Sequence, residues 1–405
     1  MTVKKQFLSN LLGIGLIDGL NLLIPLLTIP ILSRVLGPSE YGVYLLILTI
    51  VTFGYTFIDY SSNYVGVRKL AQAACNEKRS DVFVNNFAYR IIFSILYVVI
   101  AFLVSITLYE TSTALLVLFI GGPYLVGYAL MNTWFFIGTS KTYPLAYASI
   151  IARIIHLVIV VIFVNDSDDL NIALHSLSIP TLIAGVVLFI TIVNQHKLKR
   201  TKLVYVLKEL KEGSNVFIGL LAPNLYNALP LIIIAAYYSK FDYALLAAAI
   251  KIASVIFIIQ NVIAKAIFPI LSVDISNHLN KILLGNVFVA TSIFLSLLIF
   301  GEWIVALFLG GEYVGASNYL NILAISAIFV GIANTYGQGY LLAKGKDQVY
   351  RNITLYSSIF SCVLMIGFIY YLDLLGFVIG ILFARVLIAS CLFMVYFTDD
   401  AKIVR

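Results

Sequence analysis

The chain is poor in charge and in the residues that build disulfide or metal sites. Only 11% of its 405 residues are charged, and it has three cysteines and four histidines. A soluble domain carries roughly a quarter charged residues, so the composition excludes an ordinary soluble protein. Cys75, Cys362 and Cys391 form no disulfide framework, and the scattered histidines provide no HExxH motif or other metal-ligand spacing.

Apolar residues predominate in the composition. They make up 61% of the chain, its mean hydropathy is +1.02, and apolar runs of about 20 residues follow one another from end to end. Runs of this length favour helices, because the strands of a membrane barrel alternate in polarity and are about ten residues long. We therefore predict an all-α integral membrane protein.

We predict about twelve transmembrane helices in two pseudo-symmetric six-helix bundles with a central cavity. The predicted spans are 8–32, 42–63, 87–109, 114–137, 145–164, 172–194, 215–237, 243–267, 282–309, 317–342, 353–371 and 375–397. The first is interpreted as an uncleaved span, because its apolar run is too long for a signal peptide and no small-residue cleavage site follows.

The distribution of lysine and arginine predicts the orientation. With the N-terminus in the cytoplasm, 20 of the 26 basic residues lie in inside segments, Arg90 among them, and two, Arg34 and Lys240, lie outside. The remaining four lie within spans. Basic residues accumulate on the cytoplasmic side of a membrane, so both termini are predicted to be cytoplasmic.

A basic stretch divides the chain into the two bundles. QHKLKRTKLVYVLKELKEG, at 195–213, is predicted to be a solvated cytoplasmic linker at the headgroup surface. The predicted domains are 1–197, the linker 198–214, and 215–405. A similar pattern of Asn, Pro, apolar run and basic residue begins at Asn21 and at Asn227, which indicates a parallel repeat of the kind found in transporters.

Three stretches carry a resemblance to a known family. They are LLIPLLTIPILSRVLGPSEYGVY in the first two spans, SSNYVGVRKLAQ at 61–72, and the region 300–346, which contains GEWIVALFLGGEYVGASNYL. The chain resembles bacterial polysaccharide exporters of the Wzx type, in the multidrug/oligosaccharidyl-lipid/polysaccharide exporter superfamily. The likeness covers essentially the whole chain. One departure is the start of span eleven, ITLYSSIFSCVL, which lacks the asparagines expected there.

The resemblance implies a flippase rather than an enzyme. Such proteins move an oligosaccharide linked to undecaprenyl pyrophosphate from the cytoplasmic to the outer leaflet by alternating access, for O-antigen, capsule or exopolysaccharide. It implies membrane lipids, a glycan polymerase and a chain-length regulator as further partners, with no cofactor and no nucleic acid. Arg34 and Arg68 lie in the family-signature loops.

Six ionisable residues fall inside the predicted spans. A charge facing lipid at the bilayer centre costs roughly 2.5–3.5 kcal/mol, so these side chains should face a wet cavity or one another. They are Asp18, Asp59, Arg153, Lys251, Lys265 and Arg385. The deepest are predicted to be Asp18, Lys251 and Arg385, whereas the other three lie nearer the cytoplasmic ends, where snorkelling is an alternative.

The balance of these charges favours an anionic substrate. Four are basic and two acidic, so we predict that Arg153, Lys251, Lys265 and Arg385 bind the pyrophosphate, since cations pair strongly with phosphate oxygens. Lys251 and Lys265 are 14 residues apart, close to four helical turns, and so share one face. The acids Asp18 and Asp59 are predicted to act in coupling or in interhelical ion pairs.

Three other functions remain open from the sequence. A glycosyltransferase or polymerase could hold a metal at Asp166 and Asp168, although three acids in a short outer turn are usually solvated or cap a helix. A drug exporter of the same superfamily would favour acidic residues in its cavity. A flippase for a cell-wall lipid precursor is poorly distinguished by the sequence alone.

The predicted topology can be tested with reporter tags. Tags that report the cytoplasm should be active at Arg405 and within 195–213, and tags that report the outside should be active near Asp168 and Asp373. The reason is the strong bias of basic residues to one side. An outside reporter that is active at residue 205 would contradict the division into two halves of six.

Overall fold

The computed structural model describes residues 3–73, 75–196, 201–255, 279–342, 344 and 346–403. Side chains are described for these residues apart from 3–23, 279–282, 338, 339, 342, 347 and 399–403. The predicted site residue Lys265, the side chain of Asp18 and part of the predicted span 243–267 therefore lie outside the described residues.

Long helices make up nearly the whole described chain. They are α1 Val3–Asp59, α2 Val67–Gln72, α3 Asn76–Leu108, α4 Thr111–Leu116, α5 Gly122–Met131, α6 Thr133–Gly138, α7 Tyr143–Phe163, α8 Leu170–Gln195, α9 Leu203–Leu221, α10 Ala228–Ile234, α11 240–255, α12 Leu279–Phe308, α13 Ala316–Ala333 and α14 Asp347–Ile403. Short π-helical segments at Ser62–Gly66, Val117–Gly121 and Asn334–Leu342 join or extend them.

Two of the longest helices are broken in the middle. The break in α1 is Gly37, with φ 68° and ψ 169°, and the break in α14 is Asp373, with φ 51° and ψ −137°. Each break lies between two predicted spans, so α1 and α14 each supply two of the twelve. Glycine reaches positive φ without strain, which explains why the outer turn of α1 has the sequence Gly37-Pro38.

The predicted fold class, an all-α membrane protein, is confirmed. The described residues include no strand. In that part of the chain, eight helices are long and apolar enough to cross a membrane, or nine if the bent pair Leu203–Leu225 and Ala228–Ile234 is one span. Two of these, of 36 and 51 residues, contain the breaks described above. The predicted number of twelve spans is therefore an approximate count.

The chain divides into two compact units, unit 1 at Met1–Phe217 and unit 2 at Ile218–Arg405. In unit 1, α8 packs along both α5 and α7. In unit 2, α13 packs between α12 and α14. One core cluster of unit 1 contains Leu70, Phe83, Trp134, Phe135, Phe136, Leu145, Leu188 and Ile192.

Helix α3 shows that the molecule places polar groups inside and apolar groups outside. Its buried face includes Asn86, Arg90 and Ser94, whereas Ile95 and Leu103 are 55% and 57% exposed. This is the reverse of a soluble helix. It is expected where the surrounding solvent is hydrocarbon, because lipid solvates Ile and Leu but not a charge.

The basic stretch at 195–213, predicted to be a solvated linker, lies within unit 1. Beyond residues 197–200, which lie outside the described part, it continues into α9, and polar contacts join this helix to Tyr60 and to α2. Lys69 Nζ lies 2.6 Å from a carboxylate oxygen of Glu209 and 2.6 Å from one of Glu212. The Tyr60 hydroxyl donates to the Leu210 carbonyl at 3.1 Å. These contacts form a polar clamp that composition alone does not reveal.

Segments predicted to share one side of the membrane contact one another. Lys69 and Glu209 both belong to predicted inside segments. On the other side, the Tyr238 hydroxyl donates to Asp373 Oδ1 at 3.4 Å, and both residues lie in or beside predicted outside turns. These contacts agree with the predicted grouping of the turns, while the orientation of the two groups stays a prediction.

The crossing of α5 and α8 depends on two glycines. A Cβ added at Gly185 would lie 2.2 Å from the Gly127 carbonyl oxygen, and one added at Gly127 would lie 2.6 Å from the Leu182 Cα. Both obstacles are backbone atoms, which cannot rotate away. The two helices therefore approach closely because neither has a side chain at the contact, as is common in membrane bundles.

We expect Gly185→Ala to lower the melting temperature of the purified protein, because the helices must separate, and overpacking typically costs about 1–3 kcal/mol. The matched control is Gly285→Ala in α12, where an added Cβ would meet nothing within 4 Å. That substitution should be neutral or slightly stabilising, since alanine is the better helix former. Equal melting temperatures for both variants would contradict the close-packing argument.

Candidate functional site

A buried ion pair lies within unit 1. Arg90, whose exposure is 0%, donates from Nη1 to Asp59 Oδ1 and to the Ser62 hydroxyl, the latter at 2.8 Å. The second carboxylate oxygen of Asp59 accepts from the Tyr128 hydroxyl at 2.6 Å and from Asn63 Nδ2 at 2.7 Å. A buried charge pair is tolerated when further hydrogen bonds satisfy it. Both Asp59 oxygens and both terminal nitrogens of Arg90 are bonded, Nη2 to the Tyr128 carbonyl at 3.3 Å, whereas Arg90 Nε has no partner among the described residues.

Arg90, predicted to lie in a cytoplasmic segment, is part of the long helix α3, and its depth in a membrane stays a prediction. Helix α3 begins at Asn76, well before the predicted start of the span at residue 87. Arg90 is 14 residues into this helix, about 21 Å along its axis at 1.5 Å per residue. The spacing of Asn86, Arg90 and Ser94 at every fourth residue is the pattern that could have indicated a buried polar face.

Three tyrosines connect this ion pair to Arg153. The rings of Tyr55 and Tyr128 stack with centroids 3.8 Å apart, and the Tyr55 hydroxyl donates to the Tyr124 hydroxyl at 2.6 Å. The Arg90 guanidinium lies 5.6 Å from the centroid of the Tyr128 ring. At the other end, the charge of Arg153 acts on Tyr55. We call Tyr55, Tyr124 and Tyr128 the tyrosine ladder.

Arg153 lies in the middle of α7, ten residues from each end of Tyr143–Phe163. At 1.5 Å per residue each end is about 15 Å away, farther than an arginine side chain reaches. Arg153 is thus central in the helix that forms, and its depth in a membrane stays a prediction.

The rest of α7 shows which way Arg153 faces. Ser149, His156 and Val160 are buried, at 8%, 5% and 0% exposure, and together with Arg153 they form one stripe at intervals of three to four residues. The remaining faces carry exposed apolar side chains, such as Ile151 at 57%. Arg153 is thus on the protein-facing side of α7, towards α1 and α8, which are the helices that pack most extensively on α7.

Arg153 has no counter-ion in the described part of unit 1. No described carboxylate lies within ion-pairing distance of its guanidinium, and it donates no hydrogen bond to a described residue. The acidic residue nearest along the tyrosine ladder, Asp59, is already occupied by Arg90.

In unit 2, Arg385 of α14 is held by neutral hydroxyls. Its Nη1 donates to Ser326 Oγ of α13 at 2.5 Å, and Tyr226 is a second hydrogen-bond partner. Arg385 lies on the same face of α14 as the buried Ile381, Ile388 and Leu392. Hydroxyl groups orient a guanidinium without cancelling its charge.

The remaining predicted residues fall in different environments. Lys251 lies on α11 and is half-buried. Arg34 and Arg68 are exposed, Arg34 in the first limb of α1 near its break and Arg68 in α2. The structure does not describe Lys265 or the side chain of Asp18. The structure therefore brings together Asp59, Arg90, the tyrosine ladder and Arg153 in unit 1, and places Arg385 and Lys251 in unit 2.

The acidic turn considered for a metal has a structural role. Asp166 accepts from the Asp168 backbone N–H at 2.9 Å, and the Asp169 carboxylate accepts from the Asn165 and Asp166 backbone N–H groups at 2.8 and 3.3 Å. These carboxylates therefore form a capping box at the short 3₁₀ turn Ser167–Asp169, which leads into α8. The described residues hold no group of three or more His, Cys, Asp or Glu side chains placed to bind a metal.

Comparison with known proteins places the chain in a family. The family described as polysaccharide biosynthesis protein matches residues 7–275. The chain belongs to the polysaccharide biosynthesis protein family. It is 25% identical to a protein of Escherichia coli strain K12 named "Putative O-antigen transporter" over 409 residues, covering 97% of each chain. A Shigella dysenteriae protein of the same name is 24% identical over 94% of this chain and 97% of its own.

Solved structures of transporters share the fold. One is titled "Lipid II flippase MurJ, inward closed conformation", with a TM-score of 0.72 and 14% identity over 96% of this chain and 87% of that chain. Another is a multidrug resistance MATE family transporter of the MOP superfamily, with a TM-score of 0.70, 14% identity, and 94% and 95% coverage. The predicted resemblance to polysaccharide exporters, and the predicted class of transporter rather than enzyme, are confirmed.

We expect Arg90→Ala to reduce strongly the amount of folded protein in the membrane. Removing one partner of a buried pair leaves the Asp59 carboxylate uncompensated, which typically costs about 3–5 kcal/mol. Adding Asp59→Asn in the same chain removes the orphaned charge and should restore much of the yield. Yield of monodisperse protein and its melting temperature are the measurements.

The control for this pair is Lys78→Ala, an exposed cation at the start of the same helix. It should leave both yield and melting temperature unchanged. Two outcomes would show that the ion pair does not hold these helices together. One is a melting temperature of Arg90→Ala equal to that of the wild type. The other is a double variant whose yield and melting temperature are no higher than those of Arg90→Ala.

Proposed function

We propose that this protein is a flippase that moves oligosaccharide repeat units linked to undecaprenyl pyrophosphate from the cytoplasmic to the outer leaflet of the bacterial inner membrane. The glycan would belong to an O-antigen, a capsule or an exopolysaccharide. Transport proceeds by alternating access, with both termini in the cytoplasm and no bond broken. Support comes from the family match, the two relatives named as O-antigen transporters, and the flippase fold.

The observation that carries the proposal is the mid-helix cation Arg153. A guanidinium that faces protein in the middle of a helix would attract an anionic substrate and repel a cationic one. An anionic pyrophosphate offers several oxygens to such a group, and charge-assisted hydrogen bonds of this kind are among the strong ones. The neighbouring tyrosine ladder presents aromatic rings and hydroxyls suited to a sugar next to the pyrophosphate.

The charge balance of the membrane region supports the same conclusion. Arg90 joins the six ionisable residues predicted inside the spans, which are Asp18, Asp59, Arg153, Lys251, Lys265 and Arg385, but the Arg90–Asp59 pair is electrically neutral. The basic residues therefore still outnumber the acidic ones. A drug exporter that carries cations would be expected to show the opposite balance, since like charges repel.

Two arginine variants test the proposal in a bacterium that lacks its own O-antigen transporter but makes the lipid-linked oligosaccharide. Arg153→Ala should lower surface glycan about tenfold or more, because a hydrogen bond to a charged group is worth about 1.5–3 kcal/mol. Lipid-linked oligosaccharide should then accumulate in the cytoplasmic leaflet. Arg153→Lys keeps the charge and should retain a substantial part of the activity.

Protein level in the membrane is measured in parallel, so that loss of folding is not mistaken for loss of transport. Lys78→Ala again serves as the cation control and should transport normally. Normal surface glycan in Arg153→Ala at normal protein level would remove this residue from the mechanism. If the wild type instead rescues only a strain depleted of its cell-wall precursor flippase, the glycan assignment is wrong and the substrate is the cell-wall lipid.

A further inference from the structure

The exposed surface of helix α9 combines large apolar side chains with lysines. Leu203, Val204 and Leu207 are 68%, 72% and 54% exposed. Lys208 and Lys211, which follow within the next turn, are exposed as well. All of these residues precede the predicted seventh span, so contact with the hydrocarbon around that span does not account for the apolar ones. The proposed transport of a lipid-linked glycan does not account for this surface either.

The opposite face of α9 is attached to unit 1. Four residues at the helical spacing i, i+3, i+4 and i+7 form this face, namely Val206, Glu209, Leu210 and Gly213. Val206 is 4% exposed, and the polar clamp described above holds the next two. A Cβ added at Gly213 would lie 2.0 Å from Ser61 Oγ, so the backbone of α9 lies directly against unit 1 at this point. These contacts fix the direction in which the other face of the helix points.

The stripe that points away from this attachment has a definite order of side chains. It contains Val204, Leu207, Lys208 and Lys211, again at i, i+3, i+4 and i+7, and Leu203 adjoins it one turn before Leu207. We call these five residues the outward stripe. Its apolar residues come first and its lysines follow. The outward stripe therefore presents hydrocarbon at one end and positive charge at the other.

The acidic residues of α9 are engaged with unit 1. Glu209 and Glu212 each place a carboxylate oxygen 2.6 Å from Lys69 Nζ. Glu212 also lies 4.0 Å from Lys208 Nζ, but these two side chains are 41% and 72% exposed. An ion pair this long and this exposed contributes little. The acids thus strengthen the attachment of α9, and the outward stripe keeps its basic character.

Helix α9 runs beside the predicted cytoplasmic ends of two spans. The Thr201 hydroxyl, just before α9 begins, donates to Asn85 Oδ1 of α3, close to the predicted start of that span at residue 87. The Tyr60 hydroxyl, directly after the last residue of α1, donates to the Leu210 carbonyl. The headgroups of a bilayer lie at the ends of its spans. The contacts of α9 therefore favour a position at the headgroup level.

We infer that the outward stripe binds the cytoplasmic leaflet, with its apolar residues among the upper acyl chains and its lysines on the phosphates of anionic phospholipids. A helix that exposes apolar and basic groups is typical of this interface, where burial of apolar area and attraction to anionic lipid act together. Lysine suits the place because its stem is apolar and its ammonium group reaches the phosphates. Helix α9 is then held from two sides, by the polar clamp and by lipid.

The test places the full-length protein in nanodiscs of phosphatidylcholine with increasing fractions of phosphatidylglycerol. A nitroxide spin label is attached at Val204→Cys in a chain that carries Cys75→Ser, Cys362→Ser and Cys391→Ser. Paramagnetic resonance measures collisions of the label with oxygen, which concentrates in the bilayer, and with a neutral nickel chelate, which stays in water. We expect the ratio of oxygen to nickel collisions to rise with the fraction of phosphatidylglycerol. Both leaflets have the same composition, so the result does not depend on orientation.

Lys208→Gln combined with Lys211→Gln removes the charge of the outward stripe and keeps polar side chains. A lysine near an anionic surface strengthens binding about fivefold. The phosphatidylglycerol fraction at the half-maximal collision ratio should therefore rise about twofold or more in this variant. Lys78→Gln combined with Lys141→Gln is the matched control, because it removes the same charge from exposed positions outside α9. It should leave the curve unchanged.

Three results would overturn the inference, and each leaves the flippase proposal standing. Nickel collisions that predominate at every lipid composition would show that the outward stripe faces water. A label that meets neither reagent would show that protein covers the stripe, either another segment of the chain or a second copy. A collision ratio that does not depend on phosphatidylglycerol would exclude anionic lipid as the partner.

Melting temperatures of all variants identify a loss of fold. If the double lysine variant fails to fold, Leu203→Gln combined with Leu207→Gln tests the apolar end of the outward stripe. Both side chains are exposed, so the substitutions remove little packing within the protein. The collision ratio should then fall at every lipid composition, because less apolar area enters the leaflet. An unchanged ratio in this variant would likewise contradict the inference.

Discussion

Hydrocarbon solvates neither a charge nor an unpaired polar group, and this constraint arranges the side chains of the whole molecule. Isoleucine, leucine and valine cover the outward faces of α3 and α7, while Asn86, Arg90 and His156 are turned inward. In a soluble protein the apolar side chains would be buried and the polar ones exposed. Once the polar groups face inward they must satisfy one another or a ligand.

The ion pair between Asp59 and Arg90 is the first solution. Each partner makes further hydrogen bonds, so the pair joins the end of α1, the middle of α3 and α5 into one polar core. Such a pair contributes little net stability against an apolar substitute of the same shape, but breaking it is expensive. Its role is thereby to hold a particular arrangement of helices, in which the tyrosine ladder extends towards Arg153.

Arg153 and Arg385 lie in other surroundings. Arg153 lies one turn from His156 on the protein-facing stripe of α7, and Arg385 donates to Ser326 and bonds to Tyr226. Hydroxyl groups orient a guanidinium without cancelling its charge. We propose that both arginines bind the anionic substrate, whereas Arg90 holds helices together through its pair with Asp59.

The sequence by itself determined the class of molecule and the family, because membrane spans are set by local composition and need no partner to be recognised. It also placed the turns at Gly37 and Asp373 within a few residues. Only the tertiary structure showed that Asp59 pairs with Arg90, that Lys69 clamps α9, and that Arg153 is central in its helix. These contacts join residues that are tens of positions apart, and the place of Arg153 depends on where its helix begins. Hydropathy is an average over a local window, so it gives information on neither.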